Sequence, residues 1–187
     1  MTRKRIRNII YTALFCALYV VGTMIRIPFP VVPIVLTNLF LIIGGTVLGP
    51  LWGAISVLMY LALGLTGAPV FSAGGGIAAL LGPTGGYLIG YVFCSLIIGI
   101  FRNTAGTRTW ALTAGGVSGL AAIYLFGLPW LKYSLGTGWI ESIYMGVLPF
   151  LIGDVIKLII ALILLISIVK YNPDILMNMP EGEDAGT

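Results

Sequence analysis

Histidine is missing from all 187 residues of the chain. Its absence removes the commonest zinc and haem ligand, the usual general base, and every Ser-His-Asp or Cys-His arrangement. Charge is scarce as well: 9% of the residues are charged, where a soluble domain carries charge at roughly a quarter of its positions. The two cysteines, Cys16 and Cys94, fall inside apolar runs and read as buried thiols. No Gly-x-x-x-x-Gly-Lys-Ser/Thr is present, and none of the four lysines follows a glycine, so the chain has no phosphate loop for ATP. Gly74-Gly75-Gly76 and Gly85-Gly86 follow no strand, which argues against a dinucleotide site. They read as turn and close-packing positions instead. Glu-rich and Cys-rich clusters are missing too, so the chain is read as using no metal and no cofactor.

What is abundant is apolar sequence. Hydrophobic residues make up 59% of the chain and the mean hydropathy is +1.08, which describes an integral membrane protein. Apolar runs of bilayer-spanning character fall at about residues 8–26, 35–48, 51–65, 83–101, 110–128 and 145–169. The expected fold is therefore an all-α bundle of six transmembrane helices forming a single membrane domain over 1–187. Arg26-Ile27-Pro28-Phe29-Pro30 stops the first run, because two prolines cannot continue a helix. The second and third runs are short and are expected to be tilted or to pack as a helical hairpin that does not fully cross. A glycine-rich stretch, Gly64 to Gly76, separates the third run from the fourth. Basic residues precede the first run as they would in a signal peptide, but no cleavage site leads into a polar mature domain. It reads as an uncleaved membrane helix. The tail 172–187, with Pro173, Pro180 and four acids, reads as a disordered end.

The distribution of charge orients these runs. Arg3, Lys4, Arg5, Arg7, Arg102, Arg108 and Lys170 flank one side, and only Arg26 and Lys132 flank the other. The basic side is expected to face the cytoplasm, which puts both termini inside. Trp130, Tyr133, Trp139 and Tyr144 then surround the last outer loop as an interfacial aromatic belt.

Against this apolar background, Asp154 and Lys157 stand out. They are three residues apart in the last run, so a helix places them on one face. A charged group at the centre of a membrane helix costs roughly 2.5–3.5 kcal/mol to insert, and such residues mark functional sites. The pair is read as a ligand site, with the glycine-rich loop on the same outer side as its cover. Small residues four apart recur at Ala13/Ala17, Gly86/Gly90 and Gly115/Gly119, a spacing that lets membrane helices approach closely.

Several stretches taken together resemble the biotin-specific S component of energy-coupling-factor (ECF) vitamin transporters. They are Arg26-Ile27-Pro28, Val32-Pro33-Ile34, Leu48-Gly49-Pro50, and Gly64-Leu65-Thr66-Gly67-Ala68-Pro69-Val70-Phe71. Leu81-Gly82-Pro83-Thr84-Gly85-Gly86-Tyr87 and Leu148-Pro149-Phe150-Leu151-Ile152-Gly153-Asp154 with Lys157 complete the set. The resemblance implies a multi-pass protein of a prokaryotic cell membrane that captures biotin from outside. It further implies a transmembrane coupling subunit and two ATPase subunits as partners, ATP being used only by them. Asp154 and Lys157 map onto the family's ligand contacts, and Ala13 and Ala17 onto its docking surface for the coupling subunit. One departure is visible: where the family carries Gln-Thr after Val-Pro-Ile and one further pair, this chain has Thr37-Asn38. No ligand contact is carried over from that helix.

The chemistry of the ligand agrees with the residues. Biotin offers urea N–H donors, a urea oxygen, an apolar bicycle and a carboxylate. Asp154 can accept from a urea N–H, and Lys157 can donate either to the urea oxygen or to the carboxylate. Tyr87 and Trp130 are expected in the wall around the bicycle. Rival readings are an S component for another vitamin, a biotin facilitator working alone, and an intramembrane enzyme using Asp154 and Lys157 as acid and base. The last lacks a second polar cluster, a metal site or a nucleophile pair.

Overall fold

The computed structural model describes residues 3–171, with side chains from Arg5 onward; the tail expected to be disordered lies outside the described residues. The fold is almost entirely helical. In chain order the elements are α1 (Arg3–Met24), β1 (Arg26–Ile27), β2 (Ile34–Val35), α2 (Thr37–Leu65), α3 (Ile77–Leu81), α4 (Gly85–Ala105), α5 (Thr109–Leu135), α6 (Trp139–Gly146) and α7 (Leu148–Tyr171). Among the described residues, five helices are long and apolar enough to cross a membrane: α1, α2, α4, α5 and α7.

The second and third apolar runs are joined in α2, which is not straight. Gly49 has φ 75° and ψ −177°, a conformation closed to residues with a Cβ, and Pro50 follows it inside the element. A Cβ added at Gly53 would lie 3.4 Å from the Cα of Gly45, whereas eight residues of straight helix would separate them by about 12 Å. The chain therefore doubles back at Leu48-Gly49-Pro50. Its two arms lie side by side as the hairpin that the short runs suggested.

Buried hydroxyls clamp this hairpin to α1. Tyr19 Oη and Ser56 Oγ are 3.1 Å apart. Thr23 Oγ1 lies 2.9 Å from Thr37 Oγ1 on the first arm and 2.9 Å from Tyr60 Oη on the second. In a membrane such bonds satisfy polar groups that lipid cannot. On its other side the hairpin packs against α4, which in turn lies along α5. Helix α7 is the most peripheral long helix; Ile152, Val155, Ile159 and Ile163 are exposed, as residues facing lipid would be.

Several boundaries differ from the sequence reading, among them α1, which begins at Arg3, and α4, which ends at Ala105. Helix α5 runs through Pro129 to Leu135 rather than stopping at 128; a proline in a membrane helix forfeits one backbone bond without ending it when neighbours support the segment. The last apolar run begins later, at Leu148, because Val147 leaves helical geometry and isolates the short α6 before it. The glycine-rich region, read as a plain break, contains the small helix α3.

Candidate functional site

Asp154 lies two turns into α7, and neighbouring helices converge on its carboxylate. Oδ1 accepts from Lys157 Nζ at 2.9 Å and from Asn38 Nδ2 at 3.0 Å. Oδ2 accepts from Tyr124 Oη at 2.5 Å. Asn38 belongs to the first turn of α2 and Tyr124 to the middle of α5, so one acid ties together three helices. Both members of the ion pair are buried, Asp154 at 2% and Lys157 at 7% exposure. A buried charge survives only when it is paired and hydrogen-bonded, and here the carboxylate is both.

Next to this cluster is a small cavity, part of it open to solvent. Val32, Pro33, Tyr87, Leu88, Tyr91 and Phe150 give it apolar and aromatic walls. Polar groups reach it from Asn38, Thr84, Tyr124 and Lys157. Asp154 is not among the lining residues. It stands behind three that are, and fixes their positions.

The two aromatic residues expected in the wall separate. Tyr87 lines the cavity, although its hydroxyl is turned away and donates to the Gly146 carbonyl at 2.9 Å. Trp130 does not line it: its Nε1 donates to the Gly82 carbonyl at 2.9 Å, pinning the turn that leads into α4. Asn38, Tyr124, Thr84 and Tyr91 were missed from sequence. For Asn38 a signal existed, an amide at the head of an apolar run; Tyr124 reads in sequence as one more aromatic core residue.

The cavity is covered by two loops. Arg26 and Ile27 pair antiparallel with Val35 and Ile34, making a short ribbon after α1. Phe29 of that loop meets Phe150 edge-on, with ring centroids 6.2 Å apart. From the other side, the glycine-rich segment folds across, and the Arg26 guanidinium donates to the Ser72 carbonyl. Ser72 lines both the cavity and a wider outer hollow of about 930 Å³ around Arg26 and Phe71. The glycine-rich loop is thus the partition between the hollow and the cavity.

That loop is latched at its base. Tyr60 Oη donates to the Val70 carbonyl at 3.0 Å, and the Tyr60 and Phe71 rings meet edge-on at 5.4 Å. Phe71 seats over Gly64, where an added Cβ would come within 2.0 Å of the ring. Gly64→Ala is therefore expected to push Phe71 out, loosening the loop. Ligand dissociation, followed by stopped-flow fluorescence, should accelerate several-fold, while an Ala substitution at the exposed Thr66 should leave it unchanged.

Ala13 and Ala17 lie on the outward face of α1 and are both exposed, beside the exposed Ile10 and Leu14. The small-residue stripe is thus not used for packing within the chain.

A family model described as the BioY family matches residues 1–174. This chain belongs to the BioY family. A probable biotin transporter BioY of Pyrococcus horikoshii is 39% identical over 159 residues, covering 84% of this chain and 93% of the relative. The biotin transporter BioY of Thermotoga maritima is 37% identical over 165 residues, covering 88% and 96%. Among solved structures, the S-component for biotin from an ECF-type ABC transporter superposes with a TM-score of 0.82 at 31% identity, covering 92% of this chain and 96% of that one. BioY proteins are transporters, so the enzyme reading of the acid–base pair falls away at the level of the family.

Proposed function

We propose that this chain captures biotin at the outer face of a prokaryotic cell membrane and carries it across as the substrate-specific subunit of an ATP-driven ECF transporter. The observation that carries this reading is the buried Asp154, which holds Asn38, Tyr124 and Lys157 at the edge of a partly open, largely apolar cavity. A cyclic urea fused to an apolar ring is complementary to that arrangement: polar donors and acceptors at one end, aromatic walls elsewhere. Lys157 has N–H groups beyond the one given to Asp154, and these serve the ligand's oxygen atoms.

The topology follows from the hairpin. Its two arms each cross, so that with α1, α4, α5 and α7 the chain makes six crossings. The tip at Gly49 lies beside Arg102 and Asn103, at the basic end expected to face the cytoplasm. Both described ends of the chain then lie on the cytoplasmic side, and the cavity with its covering loops opens outward. Coupling to ATP needs partners, a transmembrane coupling subunit and two ATPases, and the exposed Ala13/Ala17 stripe is where the coupling subunit docks.

Uptake of radiolabelled biotin by biotin-requiring cells tests the reading. Expression of this chain with a coupling module should restore uptake, and loss of the ATPases should remove it. Uptake of another vitamin in place of biotin would overturn the substrate; energy-independent uptake by the chain alone would overturn the partnership.

A further inference from the structure

The carboxylate of Asp154 accepts from three protein donors, Lys157, Asn38 and Tyr124, and it does not line the cavity. A carboxylate can only accept, so the Asn38 amide must turn its NH2 group toward Asp154. Its carbonyl oxygen then points the other way. That oxygen, Asn38 Oδ1, is buried and has no hydrogen-bond partner, on a residue that is 8% exposed and lines the cavity. Buried acceptors are seldom left in that state, and this one adjoins a cavity from which a ligand could complete it. An amide whose NH2 donates to a carboxylate is also polarised, which makes its carbonyl oxygen a better acceptor.

A second orphan lies in the same wall. Thr84 precedes α4 at the capping position, yet its hydroxyl makes no capping bond, and Thr84 Oγ1 is buried without a partner where the residue lines the cavity. The orphaned groups are themselves neutral. They suit a neutral donor on the ligand better than its carboxylate.

We propose that Asn38 is a specificity-determining residue, its Oδ1 accepting a hydrogen bond from one N–H of the ligand's cyclic urea while Asp154 holds the amide in place from behind. This rests on the biotin reading above.

The test is calorimetric binding to the full-length, detergent-purified chain, using biotin and its two cyclic-carbamate analogues. In each analogue a ring oxygen replaces one or the other urea N–H. Wild type is expected to bind one analogue roughly ten- to a hundredfold more weakly than biotin, because a ring oxygen then faces the Asn38 carbonyl. In Asn38→Leu, which keeps the volume and loses the acceptor, biotin and that analogue should bind within about twofold of each other. The ratio between ligands is the informative quantity, since general loosening of the site would weaken both alike. Discrimination that survives in a folded variant overturns the inference. So does a wild-type protein that binds biotin and both analogues equally, a result that needs no variant to fold. In either case the biotin reading stands. A wild type that binds no biotin overturns that reading, and this inference with it.

Discussion

Asp154→Asn is expected to weaken biotin binding by about a hundredfold or more while the protein still inserts in the membrane. The substitution replaces an acceptor-only group with one that presents an NH2 to three donors. If the NH2 faces Lys157 and Asn38, both of those bonds are lost; if it faces Tyr124, whose hydroxyl can accept as well as donate, both fall to a neutral amide oxygen, and either way the Lys157 ammonium is left in a buried site without a counter-charge. Hydrogen bonds to charged groups contribute roughly 1.5–3 kcal/mol each, and the loss of two amounts to about 3–6 kcal/mol. At about 1.4 kcal/mol per tenfold, the lower bound already corresponds to a hundredfold in affinity. Insertion is spared because it depends on the apolar helices, and removing a charge from α7 lowers rather than raises its cost. Calorimetry on the purified variant, with size-exclusion chromatography as the check on folding, reads the outcome. Unchanged affinity in a monodisperse protein would remove Asp154 from the site.

Bulky residues on the outward face of α1 should have the opposite signature. Ala13→Leu and Ala17→Trp add volume where the chain itself packs nothing, since both alanines are exposed. Binding of biotin should stay within about twofold, because the hydroxyl contacts that clamp α1 to the hairpin come from Tyr19 and Thr23. Small residues four apart let a partner helix approach at backbone distance, and one indole side chain keeps the backbones several ångströms apart. Uptake is therefore expected to fall to background and the coupling subunit to be lost on co-purification. A variant that still co-purifies and transports would show that the partner docks elsewhere.

How much of this could be read in the sequence depends on the range of the interaction. The hairpin was legible because its cause is local: Leu48-Gly49-Pro50 interrupts the apolar sequence between two short runs. The Asp154–Lys157 pair was legible for the same reason, being three residues apart on one helix. The residues that complete the site were not. Asn38 meets Asp154 across 116 positions and Tyr124 meets it across 30, and nothing in the composition of either segment records which helix faces which. Asn38 was noticed only as a mismatch to a resemblance, and the structure makes it a member of the polar cluster. Trp130 shows the reverse case: an aromatic placed by topology near the site is in fact occupied with the Gly82 carbonyl. The fifth run was read as ending at about Leu128, but α5 continues through Pro129 to Leu135, with flanking helices to support it.

Calorimetric titration of the purified, full-length chain with biotin, beside thiamine, riboflavin and desthiobiotin, addresses the central claim most directly, because it requires no partner subunit. Tight binding of biotin, strong enough to resist competition by thiamine and riboflavin, is the expected result; desthiobiotin should bind more weakly because it keeps the urea and loses the fused sulfur ring that the aromatic walls enclose. A folded, monodisperse sample that takes up no biotin, or that prefers one of the other vitamins, would contradict the account.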